Sequence, residues 1–180
     1  MRKTICALSV LGALVFVLAV SAAAPVNFAG SWTLDKTKSQ GLSSRQQGAD
    51  SVSWTITQTD KVITVEEKVT GGTMSGGQGG AGGPGGPGRG GFGGPRTYNL
   101  DGSETTADMG RGKATRKASW SSDGKTLELS TKMVFQGQDG EVTNTSTEKL
   151  QLSADGKTLT AVRHSEGPRG SQDSTYVFTK

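Results

Sequence analysis

Cysteine occurs once in the 180 residues, at Cys6, and histidine once, at His164. The chain therefore has no disulfide to staple it and no Cys/His cluster of the kind that holds a transition metal. Ser165 follows His164 directly, and neighbours on a strand point to opposite faces, so the two do not form a nucleophile and its base. Glu66 and Glu67 are separated in the same way and do not act as a carboxylate pair. Charge of one sign is also scarce. The formal net charge is +4, of which Arg2 and Lys3 supply two, leaving +2 for the rest. That balance gives no electrostatic case for nucleic acid. No sustained helical period appears anywhere. No catalytic site, metal site or cofactor is expected.

The start of the chain has a definite pattern. Arg2 and Lys3 precede an apolar run from Ile5 to Val20, and Ser21-Ala22-Ala23-Ala24 supplies the small residues of a cleavage site. This predicts a signal peptide over residues 1–23, cut near Ala23 because Pro25 disfavours a cut directly before it. The protein is then exported, to the periplasm or the extracellular space, and meets the membrane only through that signal. An uncleaved anchor is the alternative, since the run approaches the roughly 20 residues that span a bilayer. Cys6 falls within the leader, too early in the apolar run to carry a lipid. Residues 24–180 read as one domain, expected to be monomeric and long enough to be stabilised by burial without disulfides.

Along that domain the dominant signal is alternation with a period of two. Phe28 to Asp35 is the first strand. A polar connection over Lys36 to Asp50 follows, a loop or a short helix over one barrel end. Val52, Trp54 and Ile56 share one face, then Thr59-Asp60 turns the chain into Lys61–Val69. Arg96 to Leu100 and a poor strand over Ser103 to Met109 come next. In Lys113 to Ser121, Ala114, Arg116, Ala118 and Trp120 face one way. Thr126 to Phe135 is the strongest strand, and Glu141 to Leu152, Lys157 to His164 and Ser174 to Thr179 complete the series. Asp123-Gly124, Asp139-Gly140 and Asp155-Gly156 mark turns, the first read as a two-residue type I′ hairpin. Residues 166–172, with Pro168, read as the last loop. The Asp-Gly-Lys-Thr-Leu segment at Asp123 recurs at Asp155, as turn chemistry alone or an internal duplication.

One segment breaks the pattern. Residues 71–95 hold 15 of the 28 glycines and three of the five prolines. Such a composition has little to bury and much backbone entropy to lose, so it reads as a disordered low-complexity insertion. Closing a loop costs only about 0.6 kcal/mol more per doubling of its length, which a barrel tolerates. Its single Arg89-Gly90-Gly91-Phe92 does not amount to an RNA-binding repeat. Strands joined mostly by tight hairpins favour an all-β, up-and-down antiparallel barrel of about eight strands, in which the first strand pairs with the last.

Mid-strand polar residues on the inward faces carry the functional reading. Arg116, Thr131, Asn144, Ser146 and Glu148 interrupt apolar rows, and an unpartnered buried charge or amide is costly. One explanation is a ligand cavity lined by Trp54, Ile56, Arg116, Trp120, Leu129, Thr131, Met133, Asn144, Ser146 and Glu148. Arg116 and Glu148 would then hold a polar head, and the small residues would leave it room. The other is that Arg116 and Glu148 pair with each other near a wet mouth, or that a bulge reverses the facing.

Phe28-Ala29-Gly30-Ser31-Trp32 resembles the Phe-x-Gly-x-Trp opening shared by lipocalins and fatty-acid-binding proteins, the calycin group, and the chain is similar to small exported bacterial proteins with lipocalin-like domains. The resemblance implies a barrel around a small hydrophobic ligand. It also implies that Gly30 and Trp32 plug one end, with a late arginine, Arg163 or else Arg169, stacked on Trp32. The leading expectation is an exported, non-catalytic binding protein for a small hydrophobic or amphiphilic molecule. A cell-envelope interaction module with a packed barrel and an enzyme of unknown class are the alternatives.

Overall fold

A computed structural model describes residues 25–71, 94–110, 112–137 and 140–180. The expected signal peptide and nearly all of the glycine-rich segment, including Arg89-Gly90-Gly91-Phe92, lie outside the described residues, as does Asp139 of the expected Asp139-Gly140 turn. Among the described residues, ten strands and one short helix follow one another. They are β1 (Gly30–Leu34), α1 (Ser44–Gly48), β2 (Ser51–Gln58), β3 (Val62–Thr70), β4 (Arg96–Asn99) and β5 (Thr105–Asp108), then β6 (Gly112–Trp120), β7 (Thr126–Gly137), β8 (Gly140–Leu152), β9 (Thr158–Gly167) and β10 (Gly170–Thr179). All neighbours are antiparallel, in the order β4-β3-β2-β1-β10-β9-β8-β7-β6-β5. Every hairpin neighbour pairs, and β1 closes onto β10 through Thr33 opposite Thr179 and Leu34 opposite Phe178.

This is an all-β, nearly closed up-and-down antiparallel barrel. The seam lies between β4 and β5, which share no ladder but are tied where the Thr105 hydroxyl donates to the Thr97 carbonyl at 2.9 Å. These two four-residue strands, expected over Arg96 to Leu100 and Ser103 to Met109, bring the count to ten where about eight was expected. Their short alternation reads weakly in sequence, and each is held by a single neighbour, β3 or β6.

Two local expectations are corrected. The 121–125 turn is not type I′, which needs positive φ at both central residues. Only Gly124 has positive φ, +67°. Asp123 instead organises a wider loop by accepting from the Ser121 hydroxyl at 2.6 Å and the Lys125 amide at 3.1 Å. The 153–157 turn repeats this with Ser153, Asp155 and Lys157, at 2.5 and 3.1 Å. Residues 166–172 are not a loop but the tight end of a hairpin, with Gly167 opposite Gly170 and the ladder continuing through Ser171 and Gln172. Gly170, at φ +101°, makes the reversal, and Pro168 sits in the turn, where the ladder needs no N–H.

The two barrel ends differ. The short turns after β2, β4, β6 and β8 gather at one end, where the interior is apolar and filled. Trp32, Ile56, Ile63, Leu127, Leu150 and Leu159 are buried there. Each such side chain contributes about 1.5–3 kcal/mol relative to exposure. The segment before β1 seals this end: Phe28 stacks on Trp120 with centroids 6.0 Å apart. Gln58 holds the seal by accepting from the Phe28 amide and donating to the Val26 carbonyl, at 2.9 and 3.0 Å.

At the other end lie the longer connections. Here α1 is started by a capping box, with the Ser43 hydroxyl accepting from the Gln46 amide and Gln46 Oε1 accepting from the Ser43 amide at 3.1 Å. The strap before the helix is sewn to β10. Ser174 donates to the Gly41 carbonyl at 2.9 Å, and a Cβ on Gly41, whose φ is +66°, would come within 2.4 Å of the Asp173 carbonyl oxygen. Only glycine permits that approach.

Candidate functional site

Cross-strand register brings together residues that are scattered in sequence. On β6 to β10 one interior row reads Trp120, Leu127, Leu150, Ala161, Tyr176, each directly opposite the next. One step toward the open end the row is Ala118, Leu129, Glu148, Arg163, Ser174. The next is Arg116, Thr131, Ser146, Ser165, Gln172. The interior thus changes from wholly apolar to wholly polar over four residues per strand, at the same height on five strands.

That last row lines a cavity of about 340 Å³. Arg163 and Ser174 from the row below line it too, with Tyr176, Met133, and Glu67 and Arg96 from the facing strands. Ser43, Arg45 and Gln46 of the strap and helix overhang it, and Met109 stands at its rim. The volume falls within the roughly 300–1,000 Å³ of small-molecule sites. A second concavity, about 390 Å³, lies on the barrel wall around Lys113, Thr115 and Phe135 and contains no buried polar group.

Charge in the first cavity is unevenly partnered. Glu148, 1% exposed, accepts from Arg96 Nη1 at both carboxylate oxygens, 2.9 and 3.0 Å. Arg163 Nε lies 3.7 Å from the same carboxylate, without a hydrogen bond. Arg96 also lies over the Trp54 ring, 5.5 Å from its centroid, and Trp54 Nε1 donates to Glu67 at 3.0 Å. Burial opposes the charge on Arg96, but the Glu148 carboxylate more than offsets it, so the pKa of this guanidinium is raised. Burial pushes up the Tyr98 phenol, which shares a hydrogen bond with Thr131 at 3.0 Å.

Arg116 is the exception. It is 8% exposed, its Nε finds no hydrogen-bond partner, and it takes part in no ion pair among the described residues. Four guanidinium groups line the cavity, from Arg45, Arg96, Arg116 and Arg163. Against them stand the carboxylates of Glu67 on the wall and Glu148 behind it, a balance of +2.

Of the residues singled out from sequence, Arg116, Thr131, Met133 and Ser146 come together on the cavity wall. Trp54 lies beneath it. Ile56 and Leu129 belong to the packed core, Trp120 packs against that core at the sealed end, and Asn144 is half-buried one row further out. Glu148 does not pair with Arg116 but with Arg96. Arg163 lies on the cavity wall rather than on Trp32, whose ring is covered by Lys180 Nζ at 4.6 Å from its centroid. Gly30 sits beside that lysine, and Arg169 is exposed in the last hairpin. Sequence reasoning missed Arg96, Arg45, Ser165, Gln172 and Ser174. Ser165 and Gln172 lie on parts of β9 and β10 assigned to a loop or left at its edge, whereas Ser174 began the expected terminal strand.

No protein-family model matches this chain, and no curated protein matches it. Among solved structures it is similar to zebrafish ileal bile acid-binding protein complexed with cholic acid, at 12% identity and a TM-score of 0.45, over 85% of this chain and 98% of that one.

Proposed function

We propose that this is an exported, non-catalytic binding protein that takes a small amphiphilic molecule into the polar end of its barrel. Export rests on the leader pattern and belongs to the proposal, as do cleavage near Ala23 and a monomeric state. The observation that carries the reading is the cavity wall itself. Arg116, Thr131 and Ser146 converge from three adjacent strands, with Met133 and Tyr176 beside them. A few oriented polar groups among apolar surface are what a small-molecule site requires. The filled apolar end leaves no room for a long tail, so the polar part enters and any apolar part lies toward Met109 and Met133.

Octanoate and octyl glucoside added to the purified protein should give saturable, one-to-one changes in the emission of Trp54, which contacts two wall residues. Ser146→Phe, placed in the cavity, should abolish the response while leaving the melting temperature close to that of the parent. If neither probe binds, and anionic dyes such as anilinonaphthalene sulfonate also fail up to millimolar concentration, the cavity is not a ligand site and the packed-module reading takes its place.

A further inference from the structure

Resting on that reading of the cavity, we infer that its ligand is a compact organic dianion with its charge on oxygen, a phosphate monoester or a dicarboxylate, not a long-chain monocarboxylic acid. Three observations lead there. Arg116 is buried, faces the cavity and has no anionic partner among the described residues, and a buried unpaired charge is unfavourable unless something supplies the counter-charge. Glu148, the buried carboxylate one row below, is already engaged by Arg96. The cavity carries a surplus of two positive charges, which a dianion neutralises and a monoanion leaves half uncompensated.

The donors suit such a group. Arg116 Nε and Arg163 Nε are both buried without a hydrogen-bond partner, and the Ser146 and Ser165 hydroxyls face the same space from adjacent strands. Charge-assisted hydrogen bonds from two guanidinium groups are the strong contacts here, and the serines complete the remaining oxygen lone pairs. The filled apolar end sets the size: the body must be short.

The test uses four matched aromatic probes by calorimetry at pH 8: phenyl phosphate, isophthalate, benzoate and benzyl alcohol. At least one dianion should bind roughly tenfold or more tighter than benzoate, the effect of one further charge-assisted contact, and the stronger of the two identifies the source of the charge. If phenyl phosphate is that ligand, its affinity should fall as pH drops below about 6, where the phosphate monoester dianion takes up a proton and becomes a monoanion.

Arg116→Met should weaken dianion binding at least tenfold while the melting temperature stays level or rises, because the change removes an uncompensated charge. A purely structural arginine would give the opposite pattern. Arg163→Gln gives an independent reading of the same loss. Benzoate or benzyl alcohol binding as tightly as both dianions would overturn the inference and leave the amphiphile reading standing. Absence of binding by these four, together with octanoate and octyl glucoside, would overturn both.

Discussion

Replacing Glu148 by Gln tests the electrostatics of the barrel directly. The side chain is 1% exposed and accepts two hydrogen bonds from Arg96, at 2.9 and 3.0 Å, with Arg163 Nε 3.7 Å away. Glutamine keeps the volume and one acceptor but removes the carboxylate that forms the ion pairs with Arg96 and Arg163. Breaking one partner out of a buried ion pair costs about 3–5 kcal/mol, because the remaining charge is stranded. Against a total of about 5–15 kcal/mol that is a large share of the stability. At about 2–4 °C per kcal/mol for a domain of this size, the melting temperature should fall by roughly 6–20 °C. Urea unfolding should show the same loss in midpoint with an unchanged slope. Arg96→Met combined with Glu148→Leu removes both charges and should recover most of the loss. The reasoning fails if Glu148→Gln costs under about 1 kcal/mol, or if the double variant is as unstable as the single one.

His164 and the turns give further predictions. On the outer face His164 Nδ1 lies 2.6 Å from Asp173 and Nε2 3.4 Å from Glu166, and these contacts, Asp173 first, raise its pKa. Folding therefore gains from the protonated form. The gain is complete below the unfolded value of about 6.5 and is lost as pH rises through the folded one. An NMR titration should place the His164 pKa above that value and lower it in Asp173→Asn; no movement would mean the contact is not populated. Gly124→Ala forces a side chain into positive φ, +67°, and should cost about 1–2 kcal/mol by urea unfolding. Gly156→Ala, in the twin turn at φ +68°, should cost the same within error, and the two losses should add.

Alternation alone located β2, β3 and β6 to β10, because each has one face on the core and the other on solvent, as in the buried Val52, Trp54 and Ile56. The closure of β1 on β10 followed from that meander and the first strand. The site was only partly legible. Arg116, Thr131 and Ser146 stood out as polar residues on apolar faces. Which residues meet across strands depends on register, which sequence alone does not fix. Glu148 and Arg116 lie on the same interior surface, but Glu148 sits a row lower and meets Arg96, which reaches it across the barrel from the edge strand beside the glycine-rich segment. The extent of β9 and β10 was underestimated because Pro168 and Gly170 look like a loop. In the barrel they occupy a turn so short that Ser165 and Gln172 stay paired and line the cavity. The overhang of α1 had a readable signal in Ser43 and Gln46, the two ends of the capping box.

The packed end and the polar end are linked through register. A slip of one residue on β7 would turn Lys132 inward and Thr131 outward, and would at the same time expose Leu127 and Leu129. Losing the burial of two leucines costs several kcal/mol, so the apolar rows hold the polar row at its height without any stabilising contribution from the polar row itself. Arg116 can therefore remain unpaired: the cost of its burial is offset by side chains one and two rows away. Stability and recognition then occupy separate levels of one sheet. Leu150→Ala should lower stability by about 2–5 kcal/mol and leave ligand selectivity intact, whereas changes at Arg116 or Ser146 should alter selectivity at little cost in stability. A barrel evolved only to pack would show no such division, and a polar row whose loss cost as much as Leu150→Ala would refute it.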